Sequence, residues 1–130
     1  MGIAIVRLGS RRGELDGLRI GTVRRPPRGV RKSDYSRLDY YDVWLPQLAP
    51  TSELIHWLKE HDSSDATWIQ FERRYVRELS TPDNQRLLEL LVALSRESNL
   101  SVGCYCENEA RCHRSILRSL LSARGAVLNS

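Results

Sequence analysis

The chain has 130 residues, 41% of them hydrophobic and 28% charged, with a formal net charge of +4. This composition excludes disordered, collagenous and low-complexity proteins and fits one folded domain over residues 1–130. No run of roughly 18 apolar residues occurs and Met1–Arg7 becomes charged too early for a signal peptide, so a cytoplasmic protein with no membrane partner is expected.

In chain order, Ile3–Leu8 is a β-branched run that predicts a buried strand, and Leu18–Val23 predicts a second. The turn-rich link between them is too short for a crossover helix, so these two strands are expected to be antiparallel. Arg24–Lys32 follows, with Pro26, Pro27 and Gly29, and reads as a rigid basic loop. The aromatic stretch Leu38–Leu48 is irregular and is assigned no strand. Pro50-Thr51-Ser52-Glu53 opens a helix to about His61, with a hydroxyl cap and an early acid. Trp68, Phe71, Tyr75 and Leu79 recur at helical spacing and predict a helix ending near Ser80. Thr81-Pro82 starts another, which runs to about Ser98. Leu100–Tyr105 predicts a strand, a last helix begins at Glu107 or Asn108 and stops at Gly125, and Gly125–Leu128 predicts a final strand. Strands alternating with helices in the second half give an α/β fold, a single small domain with a partly parallel sheet flanked by helices.

Charge adds a functional signal. Residues 7–37 hold ten Arg and Lys against Glu14, Asp16 and Asp34, a local excess of +7 that leaves the rest of the chain at −3. Eighteen of the twenty basic residues are Arg, the side chain that grips phosphate through paired donors. An anionic partner is therefore expected, either a nucleotide-like small molecule or a nucleic acid.

The sharpest chemistry lies in Cys104-Tyr105-Cys106-Glu107-Asn108-Glu109-Ala110-Arg111-Cys112-His113-Arg114. Three cysteines, an odd number, cannot form a disulfide framework and read as reduced thiols. On a strand Cys104 and Cys106 project to one face, while Cys112 and His113 fall in the first turns of the next helix. Cys112 precedes Ile116 and Leu120 at helical spacing and so also reads as a small core residue. Cys106, off that stripe, is the nucleophile candidate, and His113 is a proton carrier. Zinc would use Cys104, Cys106, Cys112 and His113, but adjacent ligands at 112 and 113 must then turn inward together. A cysteine-phosphatase loop fits poorly, because Arg111 falls one residue short of the spacing and Glu107 and Glu109 would repel a phosphate dianion.

Taken together, Asp16-Gly17-Leu18-Arg19-Ile20, Arg24 with Pro27-Arg28-Gly29, Asp42 and Trp44, Pro50-Thr51-Ser52-Glu53-Leu54, Phe71 with Tyr75-Val76-Arg77-Glu78-Leu79, and Cys104-Tyr105-Cys106-Glu107 with Cys112-His113-Arg114 resemble the YeaO-like proteins, domain of unknown function number four hundred and eighty-eight. The resemblance implies a small bacterial or archaeal cytosolic α/β protein. The chain departs from that pattern at Val23, where an acid is usual, and at Pro26, where an aromatic is common. The matched positions Arg24, Arg28, Cys106, Cys112, His113 and Arg114 become candidate site residues. The expected site joins the Arg24–Arg28 loop to the Cys106–Arg114 junction, with Arg24, Arg28 and Arg114 binding the anion. Two rival uses are expected to involve Tyr40, Tyr41 and Trp44: stacking of nucleic acid bases, or a homodimer face.

Overall fold

A computed structural model describes residues 1–129. In chain order its elements are β1 (Gly2–Arg7), β2 (Leu18–Gly21), β3 (Val43–Trp44), α1 (Ser52–Glu60), α2 (Asp65–Glu78), α3 (Pro82–Ser95), β4 (Asn99–Cys104), α4 (His113–Ala123) and β5 (Leu128–Asn129). Short 3-10 turns occupy Lys32–Asp34, Pro46–Leu48 and Glu109–Arg111.

Three of the four helices start from hydroxyl caps. Thr51, Ser64 and Thr81 accept from the backbone N–H of Leu54, Thr67 and Asn84, and Glu53, Asp65 and Asp83 stand in the first turns. The last helix differs: α4 has no side-chain cap bond and no acid in its first turn. It also starts later than its sequence suggests. Asn108 instead caps the 3-10 turn by accepting from the Ala110 N–H, and extended backbone at Cys112 separates that turn from α4.

The sheet order is β3-β2-β4-β1-β5 and every pairing is parallel. The sheet is thus parallel throughout, not in part. The expected antiparallel β1–β2 pair does not form; both strands flank β4, in registers Ile3 with Leu100 and Ile20 with Val102. The ten residues between them suffice because an extended chain of that length reaches roughly 33 Å, more than the length of β1. Gly17 completes this return at φ +55°, and a Cβ there would lie 2.0 Å from the Asn99 carbonyl oxygen.

One sheet face, with Ile3, Ile20, Leu100 and Val102, packs against apolar side chains from all four helices, among them Leu54, Tyr75, Leu91 and Leu117. Parallel sheets normally carry helices on both faces. Here loop segments cover the other side, fastened by a guanidinium. Arg19, 1% exposed, donates to the carbonyls of Ser10 (2.7 Å) and Asp39 (2.6 Å) and pairs with Asp16 (3.0 Å). Tyr41 lies flat enough over Gly21 that a Cβ there would meet its ring at 2.4 Å. Nothing in Leu38–Leu48 is regular except the two residues of β3 and the turn Pro46–Leu48.

Because all strands run one way, the ends of β1, β2 and β4 open at a single edge. The segments that leave that edge are Leu8–Ser10, the loop from Thr22 to Gly29, and Tyr105–Cys112. In open α/β sheets ligands bind at this edge.

Candidate functional site

The expected junction is assembled there. Cys104 ends β4, Cys106 follows in the loop and Cys112 stands immediately before α4, and their three Sγ atoms all lie within 4.8 Å of one another. Cys104 and Cys112 are buried and Cys106 is exposed. Cys112 fulfils both of its sequence readings, since it also packs in an apolar cluster with Leu8, Val23, Tyr41 and Cys104. The Cys104 thiol first, then the Cys112 thiol, and more weakly the charge of Arg114 favour a thiolate at Cys106 and outweigh its desolvation, so Cys106 sits below the ordinary thiol range. The same interaction with Cys106, together with burial, pushes Cys104 far up.

His113 opens α4 and its Nε2 lies 2.6 Å from the Thr22 carbonyl oxygen. A carbonyl only accepts, so Nε2 carries the proton and Nδ1 presents a lone pair. That lone pair stands 3.8 Å from the Cys112 Sγ. Burial lowers the pKa of His113 to about 4 and keeps the ring neutral near pH 7. Among the described residues no histidine or carboxylate joins the three thiols at that mutual separation, so His113 stands beside the cluster, not inside it.

Arg114 occupies a different place from the one its sequence position suggests. It is 4% exposed, donates to the Cys106 carbonyl at 2.6 Å and lines neither of the two clefts at this edge. The signal was present: Arg114 precedes Leu117 and Leu121 by three and seven residues, on the stripe that α4 buries. Its Nε has no partner, and no carboxylate lies within 4.0 Å of its guanidinium among the described residues. Arg24 donates to the Pro50 (3.1 Å) and Ala49 (3.0 Å) carbonyls, which ties the loop after β2 to the entry of α1, and it lines a cleft. Arg28 is exposed on the rim and makes no ion pair among the described residues.

Two adjoining clefts, about 550 and 690 Å³, share Arg25, Arg28 and Tyr105. The first has the three thiols and His113 in its wall; Arg24, Lys59 and Arg111 add charge. The second adds Arg7 and Tyr40. Neither is lined by an aspartate or glutamate. Of the acids expected to repel phosphate, Glu109 is held by Arg118 at 2.7 and 2.9 Å, whereas Glu107 lines neither cleft but pairs at 3.5 Å with Arg7, a residue of the second cleft. Lys59 comes from α1 and Arg111 from the turn before α4, and no spacing in the sequence brings them to the loop after β2.

The aromatic trio does not form one surface. Tyr41 is 4% exposed in the core, Tyr40 packs edge-on against Tyr105, and Trp44 donates its indole N–H to the Val23 carbonyl at 2.7 Å.

Fold and site together define a small all-parallel α/β protein with a cysteine cluster set in a cationic cleft. The chain belongs to the YeaO-like domain of unknown function family: the family model described as DUF488-N3a, Active DUF488-N3 subclade, matches residues 3–125. No curated protein and no solved structure matches the chain. No helix among the described residues is long and apolar enough to cross a membrane.

Proposed function

We propose that this protein binds a small phosphate-bearing, nucleotide-like anion in the joined clefts and presents the Cys106 thiolate to it. The observation that carries this reading is the wall itself: six cations line the two clefts at the carboxyl edge of a parallel sheet, with no carboxylate in the lining. Of these, Arg7 and Arg111 are paired with Glu107 and Asp65, while Arg24, Arg25, Arg28 and Lys59 make no ion pair among the described residues. The uncapped N-terminus of α4, free of acids, adds its partial positive charge at the same edge.

In this reading Arg25 and Arg28, which have no ion-pair partner among the described residues, meet the phosphate, and Tyr40 and Tyr105 flank the aromatic part of the ligand. Arg24, tied to the Pro50 and Ala49 carbonyls, shapes the loop and adds its charge to the cleft wall. Arg114 acts from behind: it holds the Cys106 carbonyl and favours the thiolate by charge. His113, neutral and held by Thr22, offers its Nδ1 lone pair to the Cys112 thiol as an acceptor that orients it, and Cys106 is the nucleophile available to an electrophilic ligand.

The test is calorimetric titration with ADP, pyrophosphate and adenosine at about 50 mM salt, with a single-stranded oligonucleotide as a further arm. ADP and pyrophosphate should bind and adenosine should not. Arg28→Ala should weaken both anions about tenfold, equivalent to about 1.4 kcal/mol. No detectable anion binding at low salt overturns the reading. Tight binding of the oligonucleotide alone, falling steeply with salt, assigns the cleft to nucleic acid instead.

A further inference from the structure

We infer that Cys104, Cys106 and Cys112 form a zinc-binding site of three thiolates, with a fourth coordination position open toward the anion cleft. The geometry comes first. Zinc–sulfur bonds of about 2.3 Å in a tetrahedral arrangement place sulfurs roughly 3.8 Å apart. The three Sγ atoms already lie within 4.8 Å of one another, so a closure of roughly an ångström or less completes the triangle. The donors come from a strand end, a loop and a helix cap, three separate backbone positions that surround a point instead of lining up along one element. The exposed Cys106 gives an ion its way in from the cleft.

Charge is the second, independent observation. Three thiolates around a divalent ion carry one net negative charge. Arg114 is buried to 4% exposure beside Cys106, has no carboxylate within 4.0 Å among the described residues, and keeps an unpartnered Nε. Arg19, the other buried arginine, also has an unpartnered Nε but has Asp16 as its counter-ion, so the missing carboxylate is what sets Arg114 apart. A buried guanidinium without a carboxylate is costly unless another anion faces it, and the thiolate cluster supplies one.

A site of four protein ligands would need Cys112 and His113 to turn inward together. Only Cys112 does so. His113 donates Nε2–H to Thr22, which leaves Nδ1 next to Cys112 and outside the triangle. Three protein ligands and one open position are the pattern of zinc sites that take up a further ligand, in contrast to closed structural sites. Binding exchanges the remaining thiol protons, released to solvent, for sulfur–zinc bonds, with no change of oxidation state. The identity of the fourth ligand as the cleft anion rests on the reading above; ion binding itself does not. When loaded, Cys106 is a ligand and its nucleophile is masked.

The experiment titrates Zn²⁺, and Cd²⁺ as an optical probe, into reduced full-length protein stripped with chelator. One ion per chain is expected, held against a chromophoric competitor. Cadmium should give the ultraviolet charge-transfer band of metal–thiolate bonds, and alkylation of the cysteines should be blocked by zinc and restored by chelator. Cys106→Ser, which alters the exposed ligand, should lower zinc affinity by more than the roughly 10- to 100-fold that loss of an outer partner costs. It carries the test even where Cys112→Ser fails to fold. Substoichiometric zinc, a missing thiolate band, or unchanged affinity in Cys106→Ser overturns the proposal. Arg28→Ala should leave zinc affinity as it is while weakening ADP, so failure of one reading is separable from failure of the other.

Discussion

Replacing Arg19 by Met removes the fastener of the sheet face that lacks helices, and the structure sets the size of the effect. The Ser10 carbonyl loses its side-chain donor, at about 1–3 kcal/mol where nothing replaces it, while the Asp39 carbonyl keeps the Gly9 N–H at 2.9 Å. Asp16, whose side chain is 14% exposed, loses its partner as well. Methionine retains most of the apolar volume, so cavity formation adds little. A destabilisation of about 3–5 kcal/mol follows, the range for breaking a buried ion pair from one side, against a total domain stability of about 5–15 kcal/mol. The assay is urea denaturation of both proteins, with Asp16→Asn and the double variant completing a cycle. The double variant should recover part of the loss, because it no longer buries an unpaired carboxylate. Leu8 and Tyr40 sit on the covering segments and line a cleft, so ADP affinity should fall in Arg19→Met under conditions where it remains folded. A loss below about 1 kcal/mol, or strict additivity in the cycle, would refute the view that Arg19 holds this layer.

Other outcomes follow from single sites. Gly17→Ala should prevent stable folding or cost more than the roughly 1 kcal/mol usual for a point change, since the new Cβ meets backbone at positive φ; circular dichroism and a melting curve check it. Burial opposes ionisation of Asp42, but hydrogen bonds from Arg12, Ser36 and the Arg19 N–H outweigh it and hold the carboxyl at about 2, below its ordinary 3.8. A depressed folded pKa stabilises above the unfolded value and is lost as pH falls through the folded one. Asp42→Asn should therefore cost about 1 kcal/mol at pH 7, after allowance for solvent screening, and almost nothing near pH 2. Equal cost at both pH values, measured by urea titration, would contradict this account.

Local signals in the sequence were dependable where one element suffices to read them. The hydroxyl cap expected within Pro50–Glu53 is Thr51, Thr81 caps the helix it was expected to start, the β-branched run at Ile3 is β1, and the arginine loop lines one cleft with the cysteine junction. Partnership was not legible. Leu18-Arg19-Ile20 shows a strand but not that it pairs with a strand some eighty residues later in the same direction, nor that Arg19 is buried. Glu107 and Glu109 lie in the site loop by sequence, yet neither lines a cleft: Arg118 holds Glu109, and Glu107 pairs with Arg7. Lys59 and Arg111 reach the cleft through packing of α1 and of the turn before α4, which no local period encodes.

The central position of β4 also orders events during synthesis. The strands β1 and β2 leave the ribosome early, but the strand that joins them is roughly 100 residues behind β1, a delay of about 5–20 s at ordinary elongation rates. Throughout that interval Ile3, Ile5 and Ile20 have no sheet to enter, and the nascent chain depends on transient shielding of these segments. The cationic cleft and the thiol cluster, both built on the end of β4, come into being only with the last third of the chain, so no ligand can bind there or guide folding before that point.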